Sequence, residues 1–265
     1  MRKFMLVTGA SAGIGAAFAR AYAARGWDLA LTARRADRLE ALAAELKTAH
    51  GAQSLVIPAD LAKAGAVDAI LAGIQAQGRV VDGVVNNAGY GLGGTFGTTQ
   101  WPEQATFIQV MVTSVAELAH KALPGMLERR FGRIINVASV AGILPGGRGH
   151  TLYAASKAFL IKMSQSMNLE CEGTGVHVTA LCPGFTYSEF HDVNGTRGQV
   201  SQMPSWMWQE ADEVVEAAIA ANEASQATVV PGGANRAITR LAKLLPEGVM
   251  LGVMRSQSSR FRRTD

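Results

Sequence analysis

The chain has 265 residues, 48% of them hydrophobic and 17% charged, which is sufficient for one large α/β domain over residues 1–265 with a substantial core. Its net charge of +4 includes basic clusters at ARRADR, ERRFGR and RSQSSRFRR, but no aromatic side chains are interleaved with them, so nucleic acid is not favoured as a partner. The opening apolar stretch is too short for a signal peptide and no later one reaches about 18 residues, so neither secretion nor a membrane span is expected.

Short apolar runs rich in Val, Ile and Leu alternate with longer helical patterns along the chain. Continuous apolar character is typical of strands that are covered on both faces. The runs therefore predict a doubly wound α/β fold, with a mostly parallel sheet of about seven strands and helices on both faces. The predicted strands are FMLVT, DLALTA, SLVIP, VDGVVNN, RIINVAS, VHVTALCP and a short last strand in ATVVPG.

The helical patterns predict five helices in the body of the chain. AGIGAAFARAYAARG and DRLEALAAELKTAHG each predict a helix that ends at a glycine, and Asp37 with Glu40 predicts a capping box at the start of the second. Three more helices are predicted in ATFIQVMVTSVAELAHKALPGMLERR, TLYAASKAFLIKMSQSMNLECEG and EADEVVEAAIAANEA.

The C-terminal segment NRAITRLAKLLPEGVMLGVM is amphipathic. We expect it to pack on the domain or against another subunit, with membrane docking as the alternative. The basic tail, residues 255–265, is expected to be a solvated or disordered end, with weak attraction to acidic partners as the alternative.

The two cysteines, Cys171 and Cys182, are too few for a disulfide framework. Cys182 lies inside the apolar run VHVTALC, where a buried strand thiol is expected. This usage favours a reducing cytoplasm, and we predict no metal site.

The segment VTGASAGIG, residues 7–15, lies where the first predicted strand meets the first helix. Glycines at such a junction allow a tight turn and let backbone N–H groups approach a pyrophosphate. The spacing is G-x-x-x-G-x-G rather than the general G-x-G-x-x-G, and a tight turn that binds nothing is the alternative. The cofactor-binding residues predicted in this turn are Gly9, Ser11, Gly13, Ile14 and Gly15.

The end of the second strand indicates which dinucleotide fits. An NAD site places an acid there to bind the ribose 2′-hydroxyl, whereas LTARR offers Arg34 and Arg35, which suit a 2′-phosphate. Asp37 is the rival for the ribose, but we expect it to cap the following helix. NADP(H) is therefore favoured over NAD(H), with a solvated helix start as the alternative for the arginines.

Tyr153 and Lys157 in YAASK are four residues apart and so lie on one face of a helix. A lysine cation ~4 Å from a phenol, at an effective dielectric constant of about 20, favours the ionised phenolate by about 4 kcal/mol. Tyr153 could then act as a general acid or base near neutral pH. Ser139, at the end of a predicted strand, could bind a substrate carbonyl oxygen beside it.

With these motifs together, the chain resembles the short-chain dehydrogenase/reductase family over nearly its whole length. TGASAGIG, NNAG, Ser139, YAASK and the Pro183-Gly184 pair occur in the family's order and spacing. The resemblance implies a Rossmann sheet, a nicotinamide cofactor and hydride exchange between an alcohol and a carbonyl. It further implies that the cofactor is lined by Asp60, Leu61, Asn86, Asn87, Ala88, Gly89, Tyr153, Lys157, Pro183, Gly184 and Thr186 or Ser188.

Met111 departs from the family pattern. Family members commonly carry an asparagine thirteen residues before the proline of an LPxM segment, and here that proline is Pro124. In the family the asparagine supports a helix distortion whose carbonyl binds a water linked to the lysine. Methionine lacks the side-chain hydrogen bonds, so a weakened proton relay is expected. An ordinary core methionine is the alternative.

Residues 183–210 lack a clear pattern over most of their length, and long loops of this kind commonly act as lids. The expected lid side chains over a hydrophobic carbonyl compound are Phe185, Phe190, Met203, Trp206, Met207 and Trp208, with a packing core or a subunit contact as the alternative. His150 is a candidate at the pocket mouth.

The predicted protein is an NADP(H)-dependent oxidoreductase with Ser139, Tyr153 and Lys157 as catalytic residues and Met111 at the usual asparagine position. Its substrate would be a hydrophobic ketone, aldehyde or secondary alcohol, and it would form a cytoplasmic homodimer or homotetramer. The alternative is an NADP-binding sensor or scaffold with little or no turnover.

Overall fold

A computed structural model describes residues 2–149, 151–188 and 204–261. The strands are β1 (Phe4–Thr8), β2 (Asp28–Ala33), β3 (Ser54–Pro58), β4 (Gly83–Asn86), β5 (Gly132–Val137), β6 (Val176–Leu181), β7 (Phe185–Thr186), β8 (Trp208–Gln209) and β9 (Thr228–Val229). The helices are α1 (Gly13–Ala24), α2 (Ala36–His50), α3 (Ala66–Ala76), α4 (Trp101–Ile108), α5 (Ser114–Glu128), α6 (Thr151–Glu170), α7 (Ala211–Glu223), α8 (Gly233–Leu244) and α9 (Glu247–Phe261).

Seven strands form one parallel sheet in the order β3-β2-β1-β4-β5-β6-β9. The predicted doubly wound fold is therefore confirmed. The strand order reverses between β1 and β4, and the carboxyl ends of parallel strands flanking such a point form the crevice in which these folds bind ligands. Thr8, Asn86 and Val137, the last residues of β1, β4 and β5, lie at that edge.

The strand β1 buries its two faces against different helices. Met5 and Val7 pack into one cluster with side chains of α1, α2 and α7, whereas Phe4 and Leu6 pack into another with side chains of α3, α5 and the end of α6. All five residues of β1 are buried. This double burial explains why the strand sequences are continuously apolar.

The predicted capping box of α2 is wrong. The helix begins at Ala36, so Arg35 occupies the capping position and no side chain caps the helix there. Asp37 is the second helical residue, in the first turn, because only Arg34 and Arg35 separate β2 from α2. Its charge still favours the helix N-terminus.

Other elements differ from the sequence-based expectations in extent. The helix α3 was not predicted, although Val67, Ile70 and Ile74 give it a buried face. The amphipathic end forms two helices, α8 and α9, on either side of Pro246. The backbone of α9 is helical up to Phe261, where an irregular tail was expected.

A chain of buried polar side chains ties α6 to the sheet. The amide Nδ2 of Asn86 donates to Asn136 Oδ1 at 2.9 Å, and Asn136 Nδ2 donates to Ser164 Oγ at 2.9 Å. Ser164 Oγ in turn donates to the carbonyl of Leu160 at 2.7 Å. Asn136 and Ser164 are completely buried, so these bonds replace water and fix the position of α6 relative to β4 and β5.

We predict that Asn136→Ala lowers the free energy of unfolding by about 2–4 kcal/mol, because it leaves the buried amide of Asn86 without its acceptor and creates a cavity. Chemical denaturation measures this change. The exposed amide Gln75 on α3 offers a matched control, since Gln75→Ala should alter stability by no more than about 0.5 kcal/mol. Equal effects of the two substitutions would contradict this role for Asn136.

Candidate active site

The glycine-rich turn between β1 and α1 has the backbone shape that its sequence predicts. Gly9 and Gly13 have φ angles of 65° and 54°, in the left-handed region that favours glycine. A Cβ on Gly15 would meet the carbonyl oxygen of Gly9 and, at 2.5 Å, the amide nitrogen of Asn87. The absence of a side chain at Gly15 therefore lets the start of α1 lie directly against Gly9 and Asn87.

Thr8 and Asn87 fix this turn. The hydroxyl of Thr8 accepts hydrogen bonds from the backbone N–H groups of Asn87 and Ala88, both at 3.0 Å. Asn87 Nδ2 donates to the carbonyls of Thr8 and Gly9 at 3.0 and 3.1 Å. Thr8 was not among the predicted site residues. The side chain of Asn86, by contrast, is turned away into the buried polar chain described above.

Two arginines follow β2 beside the turn. Arg35 Nη2 donates to Ser11 Oγ at 3.0 Å, whereas the side chain of Arg34 is exposed. Burial raises the pKa of Tyr90, and the carboxylate of Asp60 adds to this rise. The positive charge of Arg34 opposes it, because Arg34 is near Tyr90. Both guanidinium groups are thus placed near the predicted dinucleotide site.

Asp60 and Leu61 follow β3 at the same edge of the sheet. Asp60 Oδ1 accepts a hydrogen bond from the N–H of Ala62 at 3.1 Å, and Leu61 is buried against the α3 side of the sheet. These contacts fix the segment that the family resemblance places beside the adenine.

Lys157 is buried next to Tyr153 on α6. Its Nζ atom donates to the carbonyl of Val137 at 2.8 Å and lies 5.7 Å from the centre of the Tyr153 ring. Burial lowers the pKa of Lys157 to about 8, because removal from water disfavours the cation. Burial also raises the pKa of the neighbouring Cys182 thiol to about 12, so that thiol is neutral and provides no counter-charge.

Ser139 lies two residues beyond the end of β5. Its Oγ accepts a hydrogen bond from the N–H of Ala141 at 3.2 Å, and the residue is 9% exposed. The short 3₁₀ turn Val140–Gly142 packs directly on α6, where a Cβ on Gly142 would lie 2.6 Å from Ala158 N. This close approach brings Ser139, Tyr153 and Lys157 to the same edge of the sheet.

Met111 lies in a π-helical turn, Gln109–Thr113, that interrupts the long predicted helix between α4 and α5. The Ser114 N–H bonds the carbonyl of Gln109, five residues earlier, and Met111 is only 1% exposed. The Met111 Sδ would lie 3.0 Å from a Cβ on Gly89. The distortion that the family associates with asparagine is therefore present with methionine in its place.

The segment after β6 continues along this edge. The carbonyl of Pro183 accepts from the N–H of Val140 at 3.0 Å, and Thr186 Oγ1 donates to the carbonyl of Gly184 at 3.3 Å. Ser188 lies against Gly13, since a Cβ on that glycine would be 2.8 Å from Ser188 Cβ.

The predicted lid is described only in part. Trp208 stacks on Tyr187 with ring centres 4.8 Å apart and lies 5.5 Å from Phe185, so these three aromatic rings form a cluster. Trp206 is 64% exposed. Phe190, Met203 and His150 lie outside the described residues.

A cleft opens beside Tyr153. It lies between the loop that follows β4 and the start of α6. The lining side chains include Leu92, Thr95, Phe96, Leu152 and Tyr153. Tyr153 is therefore part of the wall of this cleft, together with apolar side chains and the polar side chains of Thr99 and Gln104.

Comparisons with known proteins agree with this geometry. A family model described as short chain dehydrogenase matches residues 3–197. The chain is 38% identical over 189 residues to a serine 3-dehydrogenase of Rhizobium radiobacter, covering 70% of this chain and 73% of that protein. It is 36% identical over 184 residues to an NADP-dependent 3-hydroxy acid dehydrogenase of Salmonella typhi, covering 68% and 71%. A solved short-chain dehydrogenase from Sphingobium yanoikuyae in complex with NADPH superposes with a TM-score of 0.81 at 31% identity, covering 99% and 98%.

We predict that Lys157→Met raises the free energy of unfolding at pH 7. The folded-state pKa of about 8 lies below the ordinary value of 10.5, so between these values the unfolded chain binds more protons and wild-type stability rises with pH. The buried cation is thus fully destabilising below about pH 8. With the bond to Val137 deducted, the variant should gain on the order of 2 kcal/mol at pH 7.

Denaturation curves from pH 7 to 10.5 test this linkage, because the advantage of Lys157→Met should shrink across that range. Lys162→Met, which removes an exposed lysine from the same helix, is the matched control and should show no such trend. A stability difference that does not vary with pH, or a variant less stable than the wild type at pH 7, would refute the prediction.

Proposed function

The chain belongs to the short-chain dehydrogenase family, and on that basis we propose that it is an NADP(H)-dependent oxidoreductase that uses Tyr153 as its general acid and base. The substrate is a hydrophobic ketone or aldehyde, or the corresponding secondary alcohol. The observation that carries this proposal is the burial of Lys157 beside Tyr153, at the edge of the sheet where Ser139 and the glycine-rich turn also lie.

The cofactor assignment is supported by the chemistry at the end of β2. The guanidinium of Arg35 next to Ser11, with Arg34 close by, offers two cations and a hydroxyl to a 2′-phosphate. Relatives named for NADP or solved with NADPH share this family, which favours NADP(H) over NAD(H). Gly9 and Gly13 adopt the left-handed backbone of the tight turn whose N–H groups would bind the pyrophosphate. When bound, the nicotinamide supplies or accepts the hydride.

Side chains of the protein itself carry out the proton transfer. In reduction, the Tyr153 hydroxyl donates a proton to the substrate oxygen while Ser139 binds that oxygen; in oxidation, Tyr153 accepts the proton. The cation of Lys157 stabilises the phenolate that forms in between. Because Lys157 is anchored to the carbonyl of Val137, its charge stays beside the tyrosine. Low solvent access strengthens this electrostatic effect.

Met111 is proposed to weaken proton resupply to this site. The π-helical turn keeps its shape, so the backbone part of the family's arrangement persists. The thioether offers only a weak acceptor and no donor where an amide offers both. Chemistry therefore proceeds, but reprotonation through Lys157 is slower than with asparagine.

The substrate class follows from the walls of the cleft. Leu92, Phe96 and Leu152 line it on the side of Tyr153. The aromatic cluster of Phe185, Tyr187 and Trp208 extends the apolar surface on the segment after β6. Such walls favour aromatic or aliphatic carbonyl compounds over sugars or charged acids.

Tyr153→Phe tests the proposal directly. The variant should bind NADPH as the wild type does and lose turnover by at least ~10²-fold, because only the transferable proton is removed. NADPH binding is followed by fluorescence titration and turnover by NADPH consumption with a hydrophobic ketone. Tyr22→Phe is the matched control: its hydroxyl is buried without a partner among the described residues, so turnover should not change. Normal turnover by Tyr153→Phe would refute the assignment.

Met111→Asn is expected to raise kcat several-fold, by on the order of 3- to 10-fold, through restored hydrogen bonding at the π-helical turn. Met111→Leu keeps the volume and apolar character and should leave kcat unchanged. Steady-state rates with the same ketone compare the three proteins, and thermal unfolding checks that the buried amide has not destabilised the fold. No gain from Met111→Asn in a folded protein would show that the relay is not limiting.

A further inference from the structure

The helix α8 packs on the domain through polar side chains. Asn235 and Thr239 are 7% and 4% exposed. Asn235 Nδ2 donates to Gln209 Oε1 at 2.9 Å and to the carbonyl of Pro231 at 3.1 Å, and Thr239 Oγ1 donates to the carbonyl of Asn235 at 2.8 Å. A surface helix normally buries its apolar side instead.

The apolar side of α8 is exposed. Leu244 is 82% exposed, Leu241 is 56% exposed and Ile238 is 36% exposed. At about 100° per residue, these three side chains fall within an arc of about 120° on the helix. Val249 and Val253, four residues apart on α9, are 51% and 45% exposed and add to the apolar surface. The segment thus packs on the domain through other side chains, and this apolar side stays exposed in the single chain, where the sequence also allowed a subunit contact.

Basic side chains border this surface. Arg236, Arg240 and Lys243 fall within an arc of about 60° that adjoins the apolar arc of α8. None of the ion pairs found among the described residues involves these three side chains. Residues 233–265 contain seven basic and two acidic residues, a net charge of +5, whereas the whole chain carries +4. The excess positive charge of the protein is thus concentrated in this segment.

An exposed tryptophan lies beside α8. The helix α8 packs against the short turn Ser205–Met207, in which Trp206 is 64% exposed. Tryptophan is favoured at the boundary between water and lipid because its ring is apolar and its N–H is polar. Within the described residues, no helix is long and apolar enough to cross a bilayer. Any contact with lipid would therefore be with the surface of the membrane.

We propose that this C-terminal face, formed by Ile238, Leu241, Leu244, Val249 and Val253 and bordered by Arg236, Arg240 and Lys243, docks on an anionic phospholipid surface. The apolar side chains enter the boundary between headgroups and acyl chains, and the basic side chains bind lipid phosphates. Charge complementarity favours lipid over a second copy of the chain, because two such faces would bring like charges together. Docking would place Trp206 at the membrane surface.

Sedimentation of the full-length protein with vesicles tests the proposal. Binding should be strong to vesicles of phosphatidylcholine with phosphatidylglycerol and weak to phosphatidylcholine alone. Replacement of Arg236, Arg240 and Lys243 together by glutamine should lower the partition coefficient for anionic vesicles by about tenfold or more. Leu241→Ser with Leu244→Ser should lower it by about tenfold, since both side chains are exposed and the fold does not need them.

Leu169→Ser is the matched control, because Leu169 is 65% exposed on α6 and should contribute nothing to vesicle binding. Circular dichroism verifies that every variant is folded. Absence of binding to anionic vesicles, equal binding to neutral ones, or wild-type binding by the variants would each overturn the proposal. So would dissociation of a dimer by Leu241→Ser with Leu244→Ser without loss of vesicle binding, which would identify the face as a subunit contact. These results do not depend on whether the protein reduces carbonyls.

Discussion

The burial of the Lys157 cation beside Tyr153 is the constraint on which the rest of the candidate site depends. A lysine that is taken out of water loses much of its hydration, and the lowered pKa records that loss. The carbonyl of Val137 accepts one hydrogen bond from Lys157 and so replaces part of that hydration. This arrangement requires α6 to lie close to the end of β5. The absence of a side chain at Gly142 and the bonds among Asn86, Asn136 and Ser164 allow that approach.

The cofactor side of the site depends on a second set of hydrogen bonds at the same edge of the sheet. Thr8 and Asn87 connect the end of β1 with the segment after β4, and so they fix the turn that begins α1. The two sets meet where the strand order reverses. A dinucleotide in the turn and a substrate beside Tyr153 would thus be positioned by one sheet.

The helix distortion and the proton relay, which are linked in the family, can be considered separately at Met111. The asparagine of the family is associated with both a helix distortion and a proton relay. Here the π-helical turn forms around a buried methionine, so the distortion does not need the amide. Packing against Gly89 fills the space instead. The proton relay depends instead on hydrogen-bonding groups. The backbone supplies only some of these groups.

Much of the fold and of the candidate site could be predicted from the sequence, because these features depend on local patterns. The strands are continuously apolar, and the glycines and the Tyr153-Lys157 spacing act within single elements. The contacts that were missed connect distant parts of the chain: Asn136 with Ser164, Arg35 with Ser11, and Thr8 with Asn87. Asp37 was taken for a cap because helix starts are uncertain by a residue or two. The exposed apolar side of α8 departs from the usual rule for amphipathic helices, because this helix packs on the domain through Asn235 and Thr239.

The measurement that tests the central claim most directly is NADPH consumption by the wild-type protein with a panel of aromatic and aliphatic ketones and aldehydes, compared with NADH at equal concentration. We predict that cofactor consumption requires both the protein and a carbonyl compound. It should be faster with NADPH than with NADH. It should also be faster with apolar than with charged carbonyl compounds. Tight NADPH binding without consumption for any carbonyl in the panel, and without NADPH formation from the corresponding alcohols, would contradict it and would identify a binding protein instead.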